Sequence, residues 1–294
     1  MFEYKRRFSN TYILMFIGIL LIGANLRAPI TSIGVALPSI KAQLGISNSV
    51  ASLITIVPLL AFATASLFAA KTGNRLGLER TIFFALILLV IGLVFRGITH
   101  IACLFIGTLL IGIGNAYSNV LTPAVIKGYF PHRIGLMTAL YTVIMNLFGA
   151  LSSFITEPLT KAFNYSISIN LIIILTLITL VIWSSQLKNK PLKIEASSTE
   201  PINIWRSTLA WQITFFIGSQ SLIFYSFLNW LPEYLSEKGV AISTSGTYLT
   251  ILQLCLIPTT FLTPILIERV KRQVVVIVIA GYVWVRRFIN DVAY

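Results

Sequence analysis

The chain has 294 residues, of which 56% are apolar and only 11% are charged. Soluble domains carry charge on about a quarter of their residues, so this composition excludes an ordinary soluble protein and favours one that lies in a bilayer. The net charge of +13 does not indicate a nucleic-acid partner, because the basic residues alternate from loop to loop and form no single basic patch.

The apolar sequence is divided into spans long enough for the roughly 20 residues that cross a hydrocarbon core. The first span, 8–40, is interrupted only by Arg27, and 81–95 is a shorter one. The others hold no Lys, Arg, Asp or Glu and cover 42–70, 97–126, 134–156, 162–187, 207–232 and 239–267. We predict eight transmembrane helices, with 273–285 as a candidate ninth. Strands of a membrane barrel would alternate polar and apolar residues, and these spans do not.

The loops between these spans differ in positive charge. With the N-terminus inside, the inner segments hold fifteen lysines and arginines, whereas the outer loops hold only Lys41, Arg96, Lys161 and Lys238. Cytoplasmic loops are enriched in these residues, so the bias predicts a cytoplasmic N-terminus.

The end of the chain repeats its beginning at an offset of 194 residues. The matched residues are Leu37-Pro38 and Gly45 with Leu231-Pro232 and Gly239, and Asn74-Arg75 with Glu268-Arg269. Duplicated six-helix units are a common way to build a secondary transporter. We therefore predict a six-helix bundle at 1–185, a polar cytoplasmic linker at 186–206 and a partial second bundle at 207–294. A second six-helix unit as long as the first would end at about residue 380.

The last nine residues do not fit this repeat. Arg286 and Arg287 correspond to Gly92 and Leu93 inside the third span, where each arginine would cost about 2.5–3.5 kcal/mol. We expect a carrier truncated in its second half, whose final residues are not native sequence, as a frameshift would produce. A genomic reading frame that continues past Tyr294 in the same register would contradict this hypothesis.

Arg27 is the strongest candidate for a functional side chain. It lies about two thirds along the first span, between Asn25 and Thr31, too deep to reach either surface, so it should face the bundle interior or a water-filled cavity. The nearest acids, Glu157 and Glu268, are at helix ends. A guanidinium without a countercharge favours an anionic solute. The structural alternative is that Arg27 bonds helix carbonyls or Glu157.

Other polar residues in the spans are candidate solute contacts. They are Asn119, Tyr141 and Asn146 in the first half, and Gln220 and Tyr225 in the seventh span. Gln220 and Tyr225 are five residues apart and lie on different helix faces, so some of this set must serve helix packing. Metal-ligand spacing, a phosphate-binding glycine loop and a catalytic triad are all missing from the sequence, which predicts neither an enzyme nor a cofactor.

The loop between the second and third spans resembles the signature of the major facilitator superfamily. That signature reads glycine, three variable residues, then Asp-Arg-x-Gly-Arg-Lys, and here the loop reads Asn74-Arg75-Leu76-Gly77-Leu78-Glu79-Arg80. Ala70 replaces the first glycine and Asn74 replaces the aspartate. The resemblance implies that Asn74, Arg75, Gly77 and Arg80 form a gating loop, although the acid of its usual salt bridge is missing.

Within that superfamily, several segments are similar to the cyanate permease and 2-nitroimidazole transporter family. They are Ala24 to Thr31 through Leu37-Pro38, Gly114 through Asn119 to Pro123 and Lys127, Met137 to Tyr141, and Gln220 to Tyr225 through Trp230-Leu231-Pro232. The resemblance implies a twelve-helix carrier of the bacterial inner membrane, monomeric at full length, whose partners are the lipid bilayer and a small solute.

The resemblance leaves three functions open. The first is alternating-access transport of a small anion such as cyanate, with Arg27 as its contact. The second is efflux of drug-like nitroimidazoles, for which Arg27 would be structural. The third is a non-transporting remnant, because missing helices would leave polar groups of the cavity unpaired.

Overall fold

A computed structural model describes residues 2–188, 206–240 and 242–269, and these ranges contain helices and short connections without any strand. The predicted all-α class is therefore confirmed. The candidate ninth span at 273–285 and the final nine residues lie outside the described residues, as does most of the predicted linker. The division into two bundles and a linker stays a prediction.

Nine α-helices follow one another along the described chain. They are α1 (Phe2–Leu44), α2 (Asn48–Leu76), α3 (Leu78–Arg96), α4 (Ile101–Tyr129), α5 (Ile134–Ala162), α6 (Tyr165–Asn170), α7 (Ile172–Ser184), α8 (Thr208–Glu237) and α9 (Ile242–Arg269). A 3₁₀ turn, Ser185–Lys188, extends α7. The predicted sixth span is thus divided into α6 and α7, which meet at Leu171.

Six segments are long and apolar enough to cross a membrane. They are Tyr12–Leu44, Asn48–Leu76, Leu78–Arg96, Ile101–Tyr129, Ile134–Ala162 and Tyr165–Lys188. The first six predicted spans are therefore confirmed by length and composition. The seventh and eighth predicted spans correspond to α8 and α9, helices of 30 and 28 residues. Neither is among the six segments, because polar residues lower the mean hydropathy of α8 and the apolar part described for α9 is limited to Thr247–Thr263.

Small residues bring the helices of the first bundle close together. A Cβ atom added to Gly107 of α4 would lie 2.5 Å from the carbonyl oxygen of Gly92 on α3. One added to Gly112 would lie 2.5 Å from the carbonyl oxygen of Pro58 on α2 and 2.8 Å from the Ala61 Cβ. Lipid tails are as apolar as leucine, so such close packing, rather than apolar burial, drives association of membrane helices.

The second half contacts the first along two helix pairs. On α1, a Cβ atom at Gly34 would lie 2.9 Å from the carbonyl oxygen of Leu228 on α8. On α5, the carbonyl oxygen of Ala150 accepts a hydrogen bond from the Thr250 hydroxyl of α9 at 3.3 Å. In contrast, every residue from 211 to 220 of α8 is exposed within the described part of the chain. The two halves therefore meet over only part of their length.

We expect Gly112→Ala to destabilise the first bundle by about 1–3 kcal/mol, because the new methyl group would force α4 away from α2. Gly218→Ala on α8 is the matched control, since nothing lies within 4 Å of its added Cβ and alanine favours helix by up to about 1 kcal/mol. Unfolding in a titration with sodium dodecyl sulfate measures both. Equal stabilities of the two variants would contradict this packing.

Candidate solute site between the two halves

Arg27 lies where four helices of both halves meet. Its guanidinium donates a hydrogen bond to the Asn146 side-chain oxygen on α5 and lies 4.4 Å from the centroid of the Phe224 ring on α8. The Asn146 amide donates in turn to the Thr260 hydroxyl on α9 at 3.2 Å. The prediction that Arg27 faces the interior therefore agrees with its contacts on α5 and α8.

Two tyrosines complete the surroundings of the guanidinium. Tyr141 of α5 and Tyr225 of α8 both lie within electrostatic range of Arg27. Tyr141 is buried, and its hydroxyl comes near Thr122 of α4 without forming a hydrogen bond of good geometry. Aromatic rings can stack on a guanidinium or on a flat solute, so this wall suits both.

Arg27 forms no ion pair with any described side chain. Glu157 pairs instead with Lys161 at 2.5 Å, one helical turn away, and Glu233 pairs with Lys41. The alternative in which Arg27 bonds Glu157 is therefore wrong. Its hydrogen-bond partner, Asn146, is neutral, and a buried cation without a countercharge is costly. The site consequently has a net positive charge.

Glycine makes room for the Arg27 side chain. A Cβ atom at Gly149 of α5 would lie 2.9 Å from both Cγ and Cδ of Arg27, and would also meet the side-chain oxygen of Gln253 on α9. Gln253 is fully buried, and its amide donates to the Ser153 hydroxyl at 3.1 Å. Its side-chain oxygen has no hydrogen-bond partner. Sequence reasoning missed Gln253, although a lone glutamine in the uncharged span 239–267 is the same signal that selected Gln220.

Asn25 was predicted to contact the solute, but its side chain bonds α7 instead. Its amide donates to the Thr179 hydroxyl at 2.7 Å, and its side-chain oxygen accepts from the Thr176 hydroxyl at 2.6 Å. Both threonines belong to α7, whereas Arg27 faces α5 and α8. Asn25 therefore joins α1 to α7 inside the first bundle, and we leave it out of the proposed site.

Thr31 also has a packing contact. Its hydroxyl donates to the carbonyl oxygen of Gly149 at 3.1 Å, which holds α1 against α5. Asn119 is half-buried on α4, and Gln220 is exposed on α8. No described contact brings Asn119 or Gln220 to Arg27. Of the eight predicted solute contacts, the structure thus brings together Arg27, Tyr141, Asn146 and Tyr225.

The predicted gating loop is a single-residue joint between α2 and α3. Gly77 has φ of 92°, which favours glycine, and its N–H donates to the carbonyl oxygen of Gly73 at 2.9 Å. The side chains of Asn74, Arg75 and Arg80 are exposed.

The buried acid of this joint is Glu79, which sequence reasoning did not select. The Tyr129 hydroxyl of α4 donates to its carboxylate at 2.8 Å, and the Trp183 indole of α7 donates to its backbone carbonyl at 2.9 Å. Glu79 thus ties the start of α3 to two other helices. We call this side of the bundle the Glu79 end.

The opposite side, which we call the Lys41 end, holds an ion pair between the halves. Lys41 in the last turn of α1 pairs with Glu233 of α8, and their side chains are 21% and 13% exposed. Sequence reasoning placed Lys41 in an outer loop. The pair is mostly shielded from solvent, so screening weakens it less than an exposed pair.

Arg96 is a second cation that the sequence did not identify as buried. It was predicted to lie in an outer loop, but it is the last residue of α3 and only 1% exposed. Its guanidinium donates to the carbonyl oxygen of Pro29 at 2.7 Å and to the Ser32 hydroxyl at 3.1 Å, both on α1. The outer-loop prediction is therefore wrong, because these partners on α1 draw the side chain into the bundle.

The fold and this site define a polytopic membrane protein whose two halves meet at a cationic centre. The family model described as Major Facilitator Superfamily matches residues 13–285. The chain belongs to this superfamily, as its loop signature predicted. Among solved structures, a D-xylose–proton symporter has the same fold, with a TM-score of 0.62, 14% identity and coverage of 88% of this chain and 69% of that one.

Curated relatives narrow the family. The chain is 42% identical to an uncharacterized transporter, YycB, of Bacillus subtilis over 87% of this chain and 64% of that protein. It is 34% identical to the 2-nitroimidazole transporter of Escherichia coli, over 89% and 67%, and 24% identical to its cyanate transport protein CynX, over 82% and 63%. The predicted cyanate permease and 2-nitroimidazole transporter family is confirmed. Because this is a family of transporters, the prediction that the protein is not an enzyme is confirmed as well. The chain spans about two thirds of the length of these relatives.

We expect Asn25→Ala to lower stability by about 1 kcal/mol, because it removes buried hydrogen bonds between α1 and α7. Thr176→Ala should have a similar effect. The double variant should lose less stability than the sum of the two single variants, since both single variants remove the same Thr176–Asn25 hydrogen bond. Thermal unfolding in detergent measures all three. Additive losses would show that the two side chains do not interact.

Proposed function

We propose that the protein is a secondary active or facilitative carrier of a small anion, which binds to Arg27 between the two halves. The observation that carries this proposal is the uncompensated charge of Arg27. Its contacts within the described chain are an amide and an aromatic ring. An anion would supply the missing countercharge and accept charge-assisted hydrogen bonds from the guanidinium.

The size and chemistry of the solute follow from the same residues. Asn146 places its amide group beside the cation, and Tyr141 and Tyr225 limit the space around it. A small monovalent anion fits this description. One relative is named a cyanate transport protein, and cyanate is therefore the solute with which we would test this chain.

Alternating access would proceed by movement of α8 and α9 against the first bundle. The Lys41–Glu233 pair and the close approach of Gly34 to α8 hold the halves together at the Lys41 end. The exposed residues 211–220 of α8 support an opening toward the Glu79 end. With the positive-inside orientation, the opening faces the cytoplasm of a bacterial inner membrane. We propose a monomer, since both halves lie in one chain.

A second candidate is export of a neutral, nitroimidazole-like compound. The Phe224 ring over Arg27 and the two neighbouring tyrosines favour it, because a flat heteroaromatic ring can stack on aromatic side chains. One relative is named a 2-nitroimidazole transporter. In this case Arg27 would organise the aromatic wall through cation–π contact and would not bind solute charge.

Arg27→Gln distinguishes the two candidates. We expect uptake of labelled cyanate into proteoliposomes to fall at least 10-fold, since a lost charge-assisted contact is worth about 1.5–3 kcal/mol. Arg133→Gln is the matched control, because Arg133 is exposed next to α5 and its loss should leave uptake unchanged.

Two results would contradict anion transport. The first is equal cyanate uptake by the Arg27→Gln variant and the unsubstituted protein. The second is cyanate uptake by the unsubstituted protein no higher than in empty liposomes. Export of 2-nitroimidazole that survives Arg27→Gln would favour the second candidate.

The Lys41–Glu233 pair tests alternating access separately. We expect a disulfide between Lys41→Cys and Glu233→Cys to abolish transport, because the Lys41 end could no longer open, and we expect reduction with dithiothreitol to restore it. Each single cysteine variant should transport with or without oxidant. Full transport by the oxidised, cross-linked double variant would show that the Lys41 end need not open.

A further inference from the structure

Arg96 has an unused hydrogen-bond donor inside the protein. Its two terminal nitrogens bond Pro29 and Ser32 of α1, but its Nε is buried and has no partner among the described residues. Both partners are neutral. None of the described acidic side chains pairs with Arg96. A fully buried guanidinium is therefore left with an uncompensated charge and an unsatisfied N–H, and each of these is costly.

A small cavity lies against Arg96. It is lined by residues of α1, α2 and α4 and by Asn229 of α8, and it leaves about 10 Å³ for the centre of a water-sized sphere. That is room for about one water molecule. A monatomic halide is somewhat larger than a water molecule and would fill this space completely, whereas a polyatomic solute would not fit.

The free polar hydrogens at this cavity come from Arg96 and Asn229. The Thr55 and Thr108 hydroxyls, which also line it, donate to backbone carbonyls of their own helices at 2.8 and 2.6 Å. The Asn229 amide donates one hydrogen to the carbonyl oxygen of Tyr225 at 3.0 Å and retains its second. Arg96, with its positive charge and an N–H that has no partner among the described residues, and Asn229 therefore line the same small cavity.

We propose that this cavity is a second anion site, separate from Arg27, that takes a halide-sized monovalent anion such as chloride. The anion would accept hydrogen bonds from Arg96 Nε and the Asn229 amide, and it would neutralise the guanidinium. A water molecule could accept the same hydrogen bonds but would leave the charge uncompensated. Because Arg96 belongs to α3 in the first half and Asn229 to α8 in the second, bound chloride would also link the two halves.

Thermal unfolding of the purified chain in detergent tests this site. Chloride is titrated against gluconate at constant ionic strength, and we expect a saturable rise in the melting temperature of about 3 °C. Arg96→Gln should lose the rise. Arg133→Gln, which removes an exposed arginine, should retain it. Asn229→Leu should weaken it and is a second test that leaves Arg96 in place.

The location is tested with bromide, which should give one anomalous-scattering peak between Arg96 and Asn229 in a crystal. A melting temperature that does not respond to chloride, or a response that both Arg96→Gln and Asn229→Leu leave unchanged, would overturn the proposal. So would a response lost in Arg27→Gln and kept in Arg96→Gln, which would place the anion at the solute site instead. If Arg96→Gln does not fold, Asn229→Leu and the bromide peak decide. The result is independent of cyanate transport.

Discussion

The cost of burying positive charge in a membrane protein governs this structure. An intramembrane arginine must find partners inside the bundle or in a water-filled cavity. Arg27 finds an amide and an aromatic ring, and Arg96 finds a backbone carbonyl and a hydroxyl. All four partners are neutral. Arg27 and Arg96 therefore leave the described interface between the halves positively charged, and this charge is the physical basis for the proposed carrier of anions.

Close helix packing decides where those charges can lie. Gly149 leaves space for the Arg27 side chain against α5. Gly107 lets α4 lie close to Arg96, because a Cβ atom added at Gly107 would be 2.6 Å from the Arg96 backbone nitrogen. Larger residues at either position would displace the guanidinium from its partners. The glycines of these spans thus serve the cationic centre as well as helix packing, because a small residue is required wherever a long buried side chain crosses a helix.

Sequence reasoning succeeded where one physical effect dominates and failed where packing decides. The helical class and the first six spans follow from the cost of charge and of unpaired backbone groups in lipid. The inward direction of Arg27, which was predicted from the same cost, agrees with its contacts on α5 and α8. Asn25 was assigned to the wrong neighbours, although two residues correspond to about 200° around a helix and thus to the face opposite Arg27. The sequence could not choose between Gln220 and Gln253, because each is a glutamine in a span without charged residues. Arg96 looked like a loop residue because its partners on α1 are 64 and 67 positions away.

Equilibrium binding of labelled cyanate to the purified chain tests the central claim most directly, since it does not depend on transport. A guanidinium presents several N–H donors in a fixed arrangement, whereas an ammonium offers only a point charge. The account predicts that Arg27→Gln weakens binding at least 10-fold, about 1.4 kcal/mol, and that Arg27→Lys weakens it less. Affinities that are the same in the unsubstituted protein and Arg27→Gln would show that the buried charge of Arg27 does not recognise the anion.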